Sequence, residues 1–198
     1  MSDQVLKTPV LKVSNAHLKA GLTFDGKTRH QVTVMVDPTR SEHAAKFLQF
    51  INQEIAKAVG DGQPSWAVVK PRKTKNPETG AYDLLHPTEK EITFKAELPK
   101  KAKSSLQPFV QEGYLNEDGR KLVGDELNLP FGTAVQIGYK VKEIDFEKKV
   151  GTDKDGNPVV EQIKGITLTL VSVGVIERPE QKRKTSAPAS VPTTKVDF

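Results

Sequence analysis

The last third of the chain carries the longest regular pattern in the sequence, and this pattern constrains the fold most. In TAVQIGYKVKEIDF, four apolar side chains share one face of an extended chain, because successive side chains of a strand point to opposite sides: Val135, Ile137, Tyr139 and Val141. The turn-rich GTDKDGNP separates them from VVEQIKGITLTLVSVGVIE, which is almost continuous in β-branched residues. Two long strands joined by a hairpin turn are therefore predicted, and Tyr139 is expected to be a core residue.

The second of these strands changes its apolar phase at Leu170 and Val171. Before this point the apolar positions are Leu168 and Leu170, and after it they are Val171, Val173 and Val175. Either a β-bulge or a strand buried on both faces would produce such a change.

An alternating segment, RHQVTVMVD, runs directly into a helix. Asp37 is placed to cap that helix and Pro38 suits its first turn, while Ser41 and Glu42 offer a slightly later start. The helix should end at Gly60 or Gly62. Its apolar stripe recurs every three or four residues and needs a sheet to cover: Ala44, Leu48, Ile51, Ile55 and Val59.

The rest of the chain supplies shorter strands. VLKTPVLKVSNAHLKAG predicts a first strand in which Pro9 favours an edge or a bulge, and Glu91–Leu98 predicts another. The stretch 63–108 has weak periodicity apart from that strand, so we expect a long excursion holding at most one hairpin. Asp118-Gly119 is a further hairpin signal. In total five or six strands are expected.

These elements predict a mainly β protein with one principal helix. A strongly curved antiparallel sheet closed by one helix describes an oligonucleotide-binding (OB) barrel with long loop insertions, although other small β-barrels and α+β sandwiches fit the same pattern. Residues 1–179 would form this one domain. Residues 180–198 are rich in Pro, Ser, Thr, Ala and Lys, so a disordered tail is expected.

Composition narrows the function less than the pattern does. The chain has 198 residues and no cysteine, so disulfides are excluded. Its formal net charge of +5 is only a modest basic excess. No apolar run approaches the roughly 20 residues of a membrane helix, so a soluble protein of the cytoplasm is expected. The distribution of the charge is more informative than its total.

One stretch combines cations with aromatic residues. In WAVVKPRKTKNPETGAY, four cations lie between Trp66 and Tyr82: Lys70, Arg72, Lys73 and Lys75. Single-stranded nucleic acid exposes both phosphates and base faces, and each stacked base contributes roughly 1–3 kcal/mol. The stretch therefore predicts a binding loop, unless Trp66 and Tyr82 are core anchors and the lysines belong to a solvated turn.

Further lysines could extend such a site. From Lys70 to Lys103 there are nine Lys or Arg and five Asp or Glu. On the long strand, Gly138 shares the outer face with two lysines and would let a base approach closely. The additional candidates are Lys95, Lys100, Lys101, Lys103, Lys140 and Lys142.

No motif predicts catalysis, a metal site or a cofactor. DKDGNP has acids at alternating positions but lacks the later bidentate Glu of a calcium loop, so a turn is the better interpretation. A phosphate-binding glycine loop and a G-x-S-x-G motif are both missing from the sequence. The histidines stand far apart: His17, His30, His43 and His86.

The layout resembles phage-encoded single-stranded DNA-binding proteins with an OB fold. The resemblance rests on RHQVTVMVDPTRSEHAAKFLQFINQEI, LPFGTAVQIGYKV and KGITLTLVSVGVIERPE, and it covers most of residues 5–179. It implies a non-catalytic protein that coats single-stranded DNA during phage replication or recombination, in the cytoplasm of an infected bacterium.

The resemblance also gives a role to the chain end. Proteins of this family typically end in an acidic tail whose final Phe docks into replication and recombination enzymes, and Asp197 and Phe198 match that tip. The tail departs from the family because it has five Lys or Arg and three Asp or Glu from Glu177 onward. It should therefore compete with DNA only weakly, and Phe198 could also be an accidental chain end.

Two rival functions fit the same features. A phage structural protein would be β-rich, with basic loops facing other subunits. A metal-dependent nuclease or resolvase would assemble scattered Asp and Glu near the basic loops. A homodimer through the edge strand at Pro9 is compatible with each of these functions.

Overall fold

The computed structural model describes residues 4–60, 67–113, 119–152, 154 and 156–179. These residues contain one α-helix, α1 (Glu42–Val59), and a short 3-10 helix, Gly124–Leu127. The strands are β1 (Leu6–Lys7), β2 (Leu11–Phe24), β3 (Lys27–Val36), β4 (Val69–Thr74), β5 (Leu84–Ala96), β6 (Phe109–Glu112), β7 (Ala134–Thr152) and β8 (Pro158–Glu177). The predicted class, mainly β with one principal helix, is confirmed.

Five of the strands form a closed circuit. β2 pairs with β3 and β3 with β5, both antiparallel. β5 runs parallel to β8, and β8 is antiparallel to β7. β7 then returns to β2 through the pair Leu11 and Val135, so the sheet closes into a five-stranded barrel of the OB type. The other strands extend this sheet: β1 pairs with β7, β4 with β5, and β6 with β8.

Period-two alternation explains the interior of the barrel. Val32, Val34 and Val36 of the alternating segment are fully buried, and across the sheet Ile92 lies opposite Val34 and Phe94 opposite Val32. Because alternate residues of a strand point outward, Gln31 and its neighbours of the same parity lie on the outer face of β3.

A β-bulge lies at the predicted change of phase. Gly138 pairs with Ser172 and Tyr139 pairs with Leu170, so Val171 is the extra residue on β8. The shift lets the apolar positions on both sides of the bulge face the interior, where they are all buried: Leu168, Leu170, Val173 and Val175. The bulge alternative is therefore confirmed.

The helix begins later than its first predicted start. Ser41 is the N-cap, and its hydroxyl accepts a hydrogen bond from the backbone N–H of Ala44 at 3.4 Å. The predicted start at Asp37 and Pro38 is wrong. The carboxylate of Asp37 instead accepts a hydrogen bond from the backbone N–H of Thr39 at 3.0 Å, in the turn before the helix.

The helix ends where the sequence predicts. Gly60 has a φ of +64°, a conformation that disfavours other residues, and its N–H donates to the carbonyl of Ala56 at 2.9 Å. The other predicted stop, Gly62, lies outside the described residues.

An aromatic cluster joins the helix to β7 and β5. The ring of Tyr139 meets Phe47 of the helix edge-on at 6.1 Å and Phe94 of β5 at 5.2 Å between centroids. Burial raises the pKa of the Tyr139 hydroxyl far above its ordinary value. Tyr139 is thus a core residue, as predicted, but the stripe prediction omitted Phe47, which is buried while Leu48 is only half-buried.

The prediction of five or six strands is too low for two physical reasons. Pro9 has no N–H to donate to a ladder, so the first predicted strand is divided into β1 and β2. The stretch predicted as a loose excursion contains β4 paired with β5, and β5 begins at Leu84 rather than at Glu91. The hairpin allowed in that stretch is confirmed.

Two further predictions lie outside the residues that the structure describes. These are Asp118 of the second predicted turn and the tail 180–198, so the domain boundary after residue 179 stays a prediction. Within the described ranges, no helix is long and apolar enough to cross a membrane.

Candidate nucleic-acid interface

A tight hairpin between β2 and β3 forms one wall of an open cleft. Phe24 and Lys27 pair across a two-residue turn, Asp25-Gly26. Asp25 has a φ of +50° and Gly26 a φ of +68°, and a type I′ turn requires positive φ at both positions. Asp-Gly is a strongly favoured sequence for this turn.

The hairpin presents apolar and cationic groups on the same face. Leu22 pairs with Arg29, and cross-strand partners point to the same side of a sheet. Leu22 and Arg29 therefore share a face with Phe24, whose side chain is 82% exposed. Gly21 permits the approach of the two strands, because a Cβ there would lie 2.7 Å from Cγ2 of Thr28.

The cleft lies over the outer face of β3 and β5 and has a volume of about 620 Å³. The hairpin forms one wall, and the start of β4 with part of β8 forms the other. Its described lining residues are Leu22, Phe24, Asp25, Lys27, Arg29, Gln31, Ala67, Val68, Lys70, Thr93, Lys95, Thr167 and Leu168. Cations outnumber acids among them, since Asp25 is the one carboxylate in this set.

Three of the cations come from three adjacent strands. Arg29 lies on β3, Lys70 on β4 and Lys95 on β5, and all three line the cleft. Burial, reinforced by the neighbouring positive charges of Arg29 and Lys70, lowers the pKa of the half-buried Lys95 ammonium. The cleft thus concentrates positive charge where a bound anion would neutralise it.

The predicted lysines of β7 lie on the same outer surface. Lys95 pairs with Thr169 of β8, and Thr169 pairs in turn with Lys140 of β7, so these side chains form one row across the strands. Lys142 donates to the carboxylate of Glu97 at 2.6 Å. The outer face of β5, β8 and β7 therefore carries three lysines, of which Lys142 is paired with Glu97.

Arg72 has a different environment. Its guanidinium donates to the carboxylate of Glu89, which is buried, and stacks over the ring of Phe131 at 5.3 Å. Arg40 at 4.0 Å and His86 at 3.8 Å also approach Glu89. Arg72 is therefore part of an intramolecular ion-pair cluster, called here the Glu89 cluster (Arg40, Arg72, His86 and Glu89).

The remaining predicted residues are exposed. Lys73, Lys75 and Tyr82 lie on the hairpin that joins β4 to β5, and Tyr82 is 71% exposed. Lys100, Lys101 and Lys103 lie in the loop after β5, which adjoins the β2–β3 hairpin because the N–H of Thr28 donates to the carbonyl of Lys103 at 2.7 Å. None of these six is among the described residues that line the cleft.

The structure brings together some predicted residues and some that the sequence analysis missed. Lys70 and Lys95 were predicted and line the cleft, whereas Phe24, Lys27 and Arg29 were missed. The overlooked signal is the Asp-Gly pair inside TFDGKTR, which places these side chains on one hairpin. Trp66, Asp197 and Phe198 lie outside the described residues.

Acidic and imidazole groups do not gather in the described part of the chain. No group of three or more His, Asp or Glu side chains able to hold a metal ion occurs among the residues that the structure describes.

The five-stranded barrel has the strand pairing of an OB barrel, and solved structures of phage proteins resemble the chain. The single-stranded DNA-binding protein from bacteriophage Enc34, in complex with ssDNA, matches with a TM-score of 0.52 and 16% identity, over 88% of this chain and 86% of that chain. The single-stranded DNA-binding protein gp2.5, encoded by bacteriophage T7, matches with a TM-score of 0.53 and 9% identity, over 98% and 100% of the two chains.

These matches confirm the predicted resemblance at the level of the fold. A C-terminal truncation of the Enc34 protein matches equally well, with a TM-score of 0.53 at 16% identity, over 89% of this chain and 87% of that chain. No family model matches the sequence, and no curated protein matches it in sequence. The chain therefore has the fold of phage single-stranded DNA-binding proteins.

Proposed function

We propose that the protein coats single-stranded DNA with little sequence preference and without catalysis, during phage DNA replication or recombination in the host cytoplasm. The observation that carries this proposal is the convergence of Arg29, Lys70 and Lys95 in a cleft bordered by the exposed ring of Phe24. In OB barrels the face of the second and third strands and the adjoining loops bind oligonucleotides. Here β3 and β5 are those strands of the barrel.

The chemistry of the cleft favours an unpaired strand. The cations would neutralise phosphates, and the Phe24 ring would stack on a base, a contact that tolerates any sequence because every base has a π-face. A duplex buries its base faces and cannot make the second contact. Support also comes from the Enc34 protein, whose structure with ssDNA shares this fold.

Other predicted residues would extend the path of the strand. Trp66 is the residue before Ala67, which lines the cleft, so its ring is proposed as a second stacking platform. Tyr82 and the lysines beside it on the β4–β5 hairpin would contact the strand beyond the cleft. Further phosphate contacts are proposed for Arg72, Lys140 and Lys142, with the contribution of Arg72 limited by its ion pair. Lys100, Lys101 and Lys103 would attract the phosphates at longer range from the loop after β5.

The first test compares single-stranded DNA, duplex DNA and RNA in filter binding across a salt series. We expect the single strand to bind most tightly, with log affinity falling against log salt by about 0.7 for each phosphate contact. Oligo-dT should also quench the fluorescence of Trp66. Absence of binding to a strand of about 30 nucleotides, or affinity independent of salt, contradicts the proposal.

The same labelled strand separates the rival functions. Incubation with magnesium should leave the strand intact, whereas cleavage would favour a nuclease. A protein found in purified virions that has no affinity for oligonucleotides would instead be a structural component.

We also propose that Asp197 and Phe198 form a docking tip for replication or recombination proteins. Deleting Val196, Asp197 and Phe198 should leave DNA affinity nearly unchanged, because no cation is removed, while abolishing recovery of such a partner in a pull-down. Substituting Lys195 by Gln is the matched control, since it alters the tail but keeps the tip. Recovery of the same partners by the truncated chain would exclude the tip.

A further inference from the structure

We infer that Arg29, Lys70 and Lys95 form a single phosphate-binding subsite that takes up a proton when it is filled, and that Lys95 receives this proton. The inference rests on the proposed function where the phosphate belongs to a DNA strand. A free polyphosphate offers the same chemistry, and the experiment below distinguishes the two sources.

The geometry places Lys95 between the two other cations of the cleft. Lys95 stands on β5 opposite Gln31 of β3, and Arg29 is two residues from Gln31 on the outer face of the same strand. Lys70 lies on β4, on the other side of β5 from β3, and pairs with Glu91, four residues from Lys95 on β5. All three side chains line the same cleft, so a phosphate bound at Lys95 would lie between the two other cations.

The charged and titratable groups around Lys95 are mostly cationic. The β2–β3 hairpin contributes Lys27 with one acid, Asp25, and β2 contributes His17 opposite Gln31. The neighbouring residues of β8 on this face, Thr167 and Thr169, do not ionise. Further groups are Arg29 on β3, Lys70 on β4, Glu91 of β5 opposite Lys70, Lys140 beyond Thr169 on β7, and Glu97, which binds Lys142.

This environment makes the charge of Lys95 sensitive to an anion. Burial, Arg29 and Lys70 lower the pKa of Lys95 in the empty cleft, because each disfavours a further positive charge there. A phosphate at the same point favours the charged ammonium and raises the pKa again. Between the pKa of the empty site and that of the filled site, binding must draw a proton from the solvent.

The sign of the pH dependence follows from this difference. Below the pKa of the empty site, Lys95 is already protonated and affinity does not depend on it. As pH rises through the window between the two pKa values, affinity falls by up to about tenfold per pH unit, because binding takes up a proton whose concentration in solution is falling. Arg29 cannot contribute to this effect, since a guanidinium stays protonated throughout.

The experiment is calorimetric titration with an oligo-dT strand, in two buffers of different ionisation enthalpy, from pH 7 to pH 10. The wild type should take up a proton within the window and lose affinity there. Lys95→Arg keeps the positive charge but cannot titrate, so it should bind with a flat pH profile and less uptake. Lys46→Arg, on the exposed side of α1 and outside the described lining of the cleft, is the matched control and should behave as the wild type.

A parallel titration with tripolyphosphate separates the two proposals. Binding of DNA without proton uptake, or uptake that persists undiminished in Lys95→Arg, overturns the inference and leaves the proposed function standing. If DNA does not bind but tripolyphosphate does, with uptake that Lys95→Arg removes, the proposed function fails and the subsite takes free polyphosphate. If neither anion binds, both proposals fail.

Discussion

Lys70 and Arg72 lie two positions apart on β4, yet they belong to different environments. Lys70 is exposed and lines the cleft, whereas the side chain of Arg72 is only 19% exposed and pairs with Glu89. A regular strand would place both on one face, because side chains at positions i and i+2 point the same way. Cations that are neighbours in sequence therefore need not share a function.

An irregularity in the pairing of β4 and β5 explains the separation. Pro71 pairs with Lys90 and Lys73 pairs with Leu85, so Arg72 and Glu89 both fall inside the irregular stretch between these pairs. There the two side chains meet and form a buried ion pair. The cleft therefore takes Lys70 from the regular part of β4, while the Glu89 cluster takes Arg72 from the part where the pairing is interrupted.

The largest expected effect comes from breaking the Glu89 cluster. Arg72→Ala leaves the carboxylate of Glu89 buried with its main partner gone, so the free energy of unfolding should fall by about 3 kcal/mol, measured by urea denaturation. Affinity of the folded protein for single-stranded DNA should change less than about twofold. The double variant Arg72→Ala/Glu89→Ala should recover part of the stability, because the unpaired carboxylate is removed as well.

Lys70→Ala is the matched variant in the cleft. Its unfolding free energy should stay within about 0.5 kcal/mol of the wild type, since Lys70 is exposed. Its DNA affinity should fall about tenfold, as expected for one lost charge-assisted contact. If Arg72→Ala weakens DNA binding while keeping full stability, the two residues share one function and the comparison fails.

The sequence predicts the barrel better than it predicts the cleft. Alternation in β3 and the phase change at Val171 are local signals, and the structure follows both. The pairing of Arg72 with Glu89 depends on the register between β4 and β5. This register is a property of two segments and has no local sequence signal. The helix start was misplaced because Asp37 and Ser41 are both good caps, and the ion pair of Asp37 with Arg40 at 3.0 Å holds Asp37 in the preceding turn.

The next largest effect should distinguish the roles of two exposed aromatic rings. Phe24 lines the cleft and Tyr82 does not, although both are largely exposed. Phe24→Ala should weaken binding of a short oligo-dT strand about tenfold, because one stacked base contributes roughly 1–3 kcal/mol. Tyr82→Ala should match the wild type on the short strand and lose affinity only on strands long enough to leave the cleft. Equal losses on the short strand would place both rings in one site.

The smallest effect is expected for the loop after β5. Lys100, Lys101 and Lys103 are exposed, and the contact of this loop with the β2–β3 hairpin uses the backbone carbonyl of Lys103, so replacing all three by Gln should preserve the hairpin. We expect their charges to act on DNA from a distance, and such interactions are screened beyond about 10 Å at 0.1 M salt. The triple variant should therefore associate more slowly at low salt and approach the wild type at high salt, measured by stopped-flow fluorescence. A loss as large as that of Lys70→Ala, persisting at high salt, would show that these lysines contact the strand directly and that the cleft is only part of the interface.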